Sequence, residues 1–584
     1  MADYFLSDLD MLHDQGVFSH LDYYFAKTMA DIFKPVSPLA ILSAALVSKA
    51  LGQGHICLNL KLSAQLELGQ GEAAQVCLPE LDPWIEVLTH EKMVGKEPEV
   101  QTPKTGTVLD WVRRVPLILD RDNNLYLSKY YDFQYRLIRN LYARVSTNSF
   151  AKDKKDISDW VERFFPEKVP GTDGQKTAIL KALTHRFLVI SGGPGTGKTH
   201  ITNIITAVLR QRAEQKKEPE PCIRCLAPTG KAAARLNQGI TIHAALKPKP
   251  DGVGFIHNRE NLLKADMVII DEASMIDIAL MTRLMEAIPL DCRVVLLGDK
   301  HQLSPVQAGA VFTDICEVES MAGFRVFLSH NFRSKGRSGI EKLARAVSQN
   351  DSTSLKQILC SQKYPDVVFE NTKEISKGQT ILEKHISQGY QDLSSAMTLD
   401  QALDRMDNFR VLCAHNLGDD GTLQINHLCE KILRPAMEND IKVPFFKRIV
   451  MVNQNDYHKG LFNGDTGIVW EESSKSLAGF KGTDQEIQKF RILDLPSHDP
   501  AFAVTIHKSQ GSEFDTVLIL IPEKISPVVT RQLLYTGITR ARKKAVVMGR
   551  LDVILNAMDM PFESRSNVVA KLDRKLGNKE GSGF

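Results

Sequence analysis

Long apolar runs are missing from this chain of 584 residues. Nothing approaches the roughly 18 consecutive apolar residues that a bilayer-spanning helix needs, so no membrane span is expected. The opening, Met1-Ala2-Asp3-Tyr4-Phe5, has neither the basic start nor the apolar core of a secretory leader, and the expected location is the cytoplasm. Cysteine is sparse: nine residues, scattered, with Cys222 and Cys225 as the only close pair. No second pair and no histidines at ligand spacing follow them, which argues against a zinc site and favours reduced core cysteines in a buried strand. A charge imbalance is absent too. Lys and Arg total 73 against 70 Asp and Glu, a net charge of +3. That excludes a histone-like coating of nucleic acid and leaves room for a local basic groove. There is no internal repeat, no His-x-His metal cluster and no array of nucleophilic tyrosines, which argues against relaxase or transposase chemistry.

What is present is a globular composition, 43% hydrophobic and 24% charged, spread over too many residues for one core. The length suggests three or four domains. Residues 1 to about 115 read as a helical, partner-docking domain or a structural cap. The spacing predicts a helix there, with Ser37 as N-cap, Pro38 in the first turn, an apolar face of Leu39, Leu42, Leu46 and Leu51, and Gly52 as the stop. Residues 116–165 read as a linker. From 166 the texture changes to short apolar runs alternating with amphipathic helices. Phe187–Ile190, Met267–Ile270 and Val294–Leu297 each end in a polar loop, the pattern of a parallel sheet buried on both faces with chemistry at its carboxyl edge. A second set begins near Phe409–Leu412 and resumes at Ala503–Ile506 and Val517–Leu520. Two α/β domains in tandem are expected, over 166–345 and 346–584. The first carries a small insertion near 246–262, and the second a small glycine-rich β insertion at about 440–500. Gln215–Pro221 reads as a surface loop, and the last ten residues as a frayed end.

The strongest local signal is Gly192-Gly193-Pro194-Gly195-Thr196-Gly197-Lys198-Thr199, a P-loop between an apolar strand and a helical run. Its glycines let backbone N–H groups close around phosphate oxygens at a helix N-terminus. Lys198 should reach the β- and γ-phosphates of ATP, and the Thr199 hydroxyl should bind Mg²⁺. Asp271-Glu272 closes the strand Met267–Ile270; Asp271 suits the metal and Glu272 the proton of the attacking water. A third strand runs into Gly298-Asp299-Lys300-His301-Gln302-Leu303, where the Gln302 amide could touch both γ-phosphate and water.

Several further blocks stand in this order: Gln175 shortly before the P-loop, Ala227–Ala233, Thr241-Ile242-His243, Leu328–Arg333, Phe462-Asn463-Gly464-Asp465, Ala503–Phe514 and Leu534–Arg542. Together they resemble the superfamily 1 helicases over about residues 170 to 555, and in particular the RecD branch. The resemblance implies two RecA-like P-loop domains, an SH3-like fold for the β insertion, and a 5′-to-3′ motor on single-stranded DNA. It implies that Gln175 reads adenine, that Gly511 and Glu513 join the P-loop residues in binding nucleotide, and that Arg333 and Arg540 are arginine fingers. A permanently charged planar fork suits that role, and Arg540 must come from the second domain, so ATP would sit in the cleft between the two. Pro228, Thr229, Thr241, His243, Thr505, His507 and Ser509 would hold DNA phosphates without reading sequence.

The 170 residues before the P-loop are too short for the helix-hairpin-helix repeats of the stand-alone RecD-like helicases. The resemblance therefore implies a subunit that acts at duplex ends beside the beta and gamma subunits of a RecBCD-type heterotrimer, with the nuclease on the beta subunit. Pro365-Asp366, Glu370 and Lys373 echo a metal nuclease only loosely and read as a surface coincidence.

Overall fold

The computed structural model describes the chain except residues 1, 70–74, 98–114, 147–153, 166–168, 251, 253, 306, 333–337, 362, 373–374, 438–446, 457, 473–474, 483–485, 561–565 and 578–584. The amino-terminal part is helical at first: α1 (Ala2–Asp14), α2 (His20–Ile32) and α3 (Pro38–Gly52). The α3 segment departs from the expected one-sided helix. Ala40 to Val47 are all buried, so the helix is enclosed on every side. Ser37 makes no side-chain cap, its amide instead donating to Glu91 at 2.8 Å, and the left-handed residue after the helix is Gly54 at φ +87°, not Gly52.

A small sheet completes this part. Strands β1 (Leu58–Asn59), β2 (Val94–Lys96), β3 (Leu117–Leu119) and β4 (Asn124–Leu127) lie in the order β1-β4-β3-β2. Residues 116–165 are therefore not a linker. The runs at 117–119 and 124–127 are three and four residues long, joined by a turn in which Asp120 Oδ1 accepts from the amides of Asp122 and Asn124, both at 2.9 Å. Next comes α4 (Ser128–Ser146), whose buried Phe133, Leu137, Leu141 and Val145 pack into the core of the first α/β lobe.

That lobe has six parallel strands: β5 (Phe187–Gly192), β6 (Ile223–Ala227), β7 (Ile240–Thr241), β8 (Met267–Ile270), β9 (Arg293–Gly298) and β10 (Arg325–Leu328). Their order is β10-β5-β9-β8-β6-β7. Alternate residues serve opposite faces. Phe187, Val189, Val268 and Ile270 join the core that holds α4, while Leu188, Ile190, Met267 and Ile269 join a second core with the helix after the P-loop. That helix, α5 (Lys198–Lys216), takes in two residues expected in the surface loop. Among the described residues of 246–262, Pro248 and Phe255 form an antiparallel bridge.

The second lobe is also parallel: β11 (Val367–Asn371), β12 (Phe409–Cys413), β18 (Ala503–Thr505), β19 (Phe514–Leu520) and β20 (Ala541–Gly549), in the order β11-β20-β19-β12-β18. Between β12 and β18 an antiparallel sheet is inserted, with strands β13 to β17 at Ile449–Val452, Thr466–Glu472, Lys475–Lys481, Ile487–Arg491 and His498–Pro500. One expectation fails at the carboxyl end. The last described helix, Val568–Gly577, leaves the second lobe and buries Val568 and Leu572 in the core of the first. Its ion pairs, Lys571 with Asp120 at 3.0 Å and Arg574 with Asp122 at 2.6 Å, clasp the β3–β4 turn.

Candidate nucleotide and nucleic-acid site

The P-loop sits at the carboxyl end of β5. Gly195 and Gly197 hold φ of +79° and +86°, a region that side-chain-bearing residues rarely enter. A Cβ on Gly192 would lie 2.6 Å from Thr196 Oγ1 and 2.9 Å from Leu328 Cβ, so the cradle admits no side chain. The Lys198 amine donates to the carbonyls of Gly192 at 2.6 Å and Gly193 at 3.2 Å. These are weak acceptors that an anionic phosphate oxygen would outcompete. Gln175 is buried, and its Nε2 donates to the Thr196 carbonyl at 3.0 Å. It braces the loop with its amide nitrogen and keeps its oxygen for another donor. Thr199 is exposed on the first turn of α5. The Phe332 amide donates to the Gly195 carbonyl at 2.9 Å, so the segment leading to Arg333 lies on the P-loop; Arg333 itself lies outside the described residues.

Asp271 and Glu272 follow β8. Glu272 holds φ +51°, an unfavourable left-handed backbone for a non-glycine residue and the kind of local strain that collects at working sites. Its amide donates to Asp271 Oδ1 at 2.9 Å. Burial, then the charge of Glu272, push the Asp271 carboxyl up to about 6, against the pull of Lys198. Glu272 Oε2 and Gln302 Oε1 are buried with no hydrogen-bond partner among the described residues. Buried polar atoms left open in this way are expected where a substrate completes the set.

The second lobe closes over the same spot. Arg540 is 3% exposed; its Nε donates to the Thr536 carbonyl and its Nη1 to the Ser512 carbonyl, both at 3.1 Å. Burial lowers its pKa, while Glu272 and Asp299 of the first lobe and Glu513 of its own hold it up. Hydrogen bonds between described residues cross from one lobe to the other. Tyr535 donates to Asp299 Oδ2 at 2.9 Å, the Leu303 amide to Thr536 Oγ1 at 2.9 Å, and Gln510 Nε2 to the Leu303 carbonyl at 3.0 Å. Asp299 Oδ2 also accepts from Gln302 Nε2 at 3.3 Å. Tyr535 and Thr536 were not singled out from the sequence, although both stand in Leu534–Arg542. Only their side-chain partners, more than 230 residues away, give them a role. Beside the seam lies a cleft of about 480 Å³, lined among others by Gly193, Thr196, His301, Tyr535 and Arg542.

The expected DNA contacts divide. Thr229, Thr241 and Thr505 each accept from a backbone amide three residues on, Ala232, Ala244 and Lys508. Each is thus a local cap that still has its O–H hydrogen free to donate. Pro228 is half-buried ahead of Thr229. His243 and His507 are half-buried and burial lowers both pKa values, so they would meet a phosphate as neutral N–H donors. Ser509 does not meet its expectation: it is 1% exposed, and its hydroxyl donates to the Ile506 carbonyl at 2.7 Å. Gly511, expected beside the nucleotide, lies against the first lobe, its would-be Cβ 3.6 Å from Thr229 Oγ1. Glu513 is engaged by Arg542 at 3.4 Å. The Phe462–Asp465 block reaches across as well: a Cβ on Gly230 would lie 2.8 Å from that of Phe462.

Asp366 caps the helix Gly339–Ser348, accepting from Ser338 Oγ and from the amides of Gly339 and Ile340, and Glu370 pairs with His385 at 3.0 Å; Lys373 lies outside the described residues. Among the described residues no group of three or more His, Cys, Asp or Glu could hold a metal ion, Cys222 and Cys225 are free thiols, and no helix is long and apolar enough to cross a membrane.

Three family models match: the RecBCD enzyme subunit RecD N-terminal domain over residues 14–126, an AAA domain over 175–308, and the UvrD-like helicase C-terminal domain over 500–548. The RecBCD enzyme subunit RecD of Mycolicibacterium smegmatis is 32% identical, covering 87% of this chain and 89% of that protein. The same subunit of Haemophilus influenzae is 28% identical over 93% and 95%. The ATP-dependent RecD2 DNA helicase of Deinococcus radiodurans is 28% identical over 70% of this chain and 52% of that protein. With two P-loop-type lobes meeting over a phosphate cradle, and likeness at this level along nearly the whole length of both proteins, the chain belongs to the RecBCD enzyme subunit RecD family and is a nucleotide-binding DNA helicase subunit.

Proposed function

We propose that ATP hydrolysis between the two lobes drives this chain 5′ to 3′ along single-stranded DNA, as the alpha subunit of a cytoplasmic RecBCD-type helicase–nuclease working at duplex ends. The observation that carries this reading is the buried Arg540 of the second lobe in the electrostatic field of Glu272 and Asp299 of the first, with Lys198 beside Asp271. In this assignment Lys198 binds the β- and γ-phosphates, and Glu272 takes the proton of the attacking water. Gln302 uses its open oxygen to hold that water, and Arg540, with Arg333, meets charge that develops on the γ-phosphoryl group. The oxygen-donor set of Thr199 and Asp271 suits Mg²⁺, which would neutralise phosphate charge. Opening and closing of the seam moves Thr229, Thr241 and His243 relative to Thr505 and His507 along the strand. Double-strand break repair and recombination are the setting that such a complex serves.

Lys198→Gln tests the motor: DNA-stimulated ATP hydrolysis should vanish while assembly with the beta and gamma subunits persists, and hydrolysis at the wild-type rate would overturn the assignment. Unwinding of duplexes tailed at one end or the other tests the polarity. A stand-alone helicase is the second reading, favoured by the likeness to RecD2. It would be selected if the purified chain alone unwound processively as a stable monomer.

A further inference from the structure

Another pocket lies outside the cleft, where α4, the helix Ile278–Ala287 and the bridged residues Pro248 and Phe255 meet. It has a volume of about 370 Å³. Arg283 stands in it between two phenyl rings, 5.6 Å from the centroid of Phe133 and 5.7 Å from that of Phe255. Among the described residues this exposed guanidinium has no ion pair and no hydrogen bond, so its contacts are the two rings and its N–H donors are left for a ligand. Lys249 lines the same pocket, and His257 Nδ1 is buried there without a partner.

Among the described residues that line the pocket, the acids are already engaged. Asp132 and Glu286 bind Arg136 at 3.1 and 2.9 Å, and Glu260 lies 3.6 Å from Arg259. An anion entering would therefore meet Arg283 and Lys249 first. The Phe255 ring connects this pocket to the proposed DNA track, since the His243 ring also lies against it, tilted, at 5.8 Å between centroids. Arg283 is also close enough to His243 to disfavour its protonation.

We propose that this pocket takes a backbone phosphate of the DNA strand just beyond His243, extending the track onto the flank of the first lobe. The inference rests on the assignment of Thr241 and His243 to DNA. An exposed planar fork beside two rings can meet a phosphate with paired N–H donors, and phosphate contacts position a strand without reading its sequence.

The test compares binding of two fluorescent oligo-dT strands, about 8 and about 25 nucleotides long, to the full chain with its partner subunits, across a salt series. Arg283→Ala with Lys249→Ala should weaken the long strand about tenfold and lower its salt dependence by one to two released counterions. The short strand, which fills only the track between the lobes, should be unaffected. Arg283→Lys, which keeps the charge and loses the fork, should recover the salt dependence but only part of the affinity. Unchanged binding of the long strand would overturn the proposal, as would an equal loss for both strands. Unchanged DNA binding with loss of a partner subunit would overturn it in favour of a protein interface. Failure of the wild-type complex to bind the short strand would instead strike the DNA assignment of Thr241 and His243.

Discussion

The first lobe has two neighbours, and it meets them in opposite ways. Toward α4 and the carboxyl-terminal helix the contact is apolar and closed. Leu137, Leu141, Val568 and Leu572 share one core with Phe312 and Met281, and Arg144, wholly buried, donates to the carbonyls of Met285, Ile288, Pro289 and Cys292 at 2.7 to 3.3 Å. Toward the second lobe the contact is sparser: Leu303 enters that lobe's core, Phe462 reaches Gly230, and single hydrogen bonds run from Tyr535 to Asp299, Leu303 to Thr536 and Gln510 to Leu303 beside an open cleft. A large apolar seam reopens only at the cost of exposing its area, whereas hydrogen bonds exchange with water for about 1 kcal/mol each. On the proposed motor reading, the first contact is the one expected to stay shut and the second the one expected to cycle.

The largest effect should come from the cycling contact. Arg540→Ala should lower kcat for DNA-stimulated ATP hydrolysis by about 10³ or more, with a much smaller change in KM, because the guanidinium answers charge that develops during phosphoryl transfer. A loss below tenfold would place the decisive cation elsewhere and erase the contrast between the two contacts. Arg144→Ala probes the closed contact. It takes the donor from the Ile288 and Cys292 carbonyls and one of two donors from those of Met285 and Pro289, and should cost about 3 kcal/mol, read as a lower thermal midpoint, while leaving the KM for ATP unaltered.

The closed contact also carries a pH signature. Asp314 is fully buried beside Ser566, and burial pushes its carboxyl up to about 7. The native chain thus keeps a proton that the unfolded chain releases near the ordinary value of 3.8. Between those two values the native state binds more protons, so stability falls as pH rises from about 4 to about 7 and stays low above it. Asp314→Asn, which keeps an acceptor for Ser566, should remove most of that slope and raise the thermal midpoint at pH 8. An unchanged slope would move the titrating group out of this junction.

The motor was legible because its chemistry is local. Gly192–Thr199 and Asp271-Glu272 are short blocks whose backbone and side chains act together, and the buried strands before them announce themselves as unbroken apolar runs. The amino-terminal sheet was not legible. Leu58–Asn59, Val94–Lys96 and Leu117–Leu119 are two or three residues long, too short to show a period, and their pairing is fixed by contacts across tens of residues. The same limit hid the path of the last helix, since nothing in Val568–Gly577 says which of two α/β cores its apolar face will join. Ser509 shows a subtler failure. Its block placed it correctly beside Thr505 and His507, but one residue's rotation turns a hydroxyl from a surface to a core, and block matching does not report that.

The smallest effect in this set should be the most informative about the cycling contact. Tyr535 touches neither the P-loop lysine nor the open oxygens of Glu272 and Gln302; it donates to Asp299 Oδ2, the atom that also receives Gln302 Nε2. Its hydroxyl lies 3.1 Å from where a Cβ on Gly193 would stand, so closure of the second lobe brings it over the phosphate cradle. Tyr535→Phe keeps the ring and removes one hydrogen bond of about 1 kcal/mol. If that bond helps hold the closed state, kcat should fall about five- to tenfold and the apparent KM for ATP should rise, because the closed lobe is populated less at every nucleotide concentration. If instead the seam were as fixed as the contact around Arg144, losing one bond among many would leave both constants untouched and appear only in the thermal midpoint. The split between kinetic and thermal responses therefore separates a hinge from a weld.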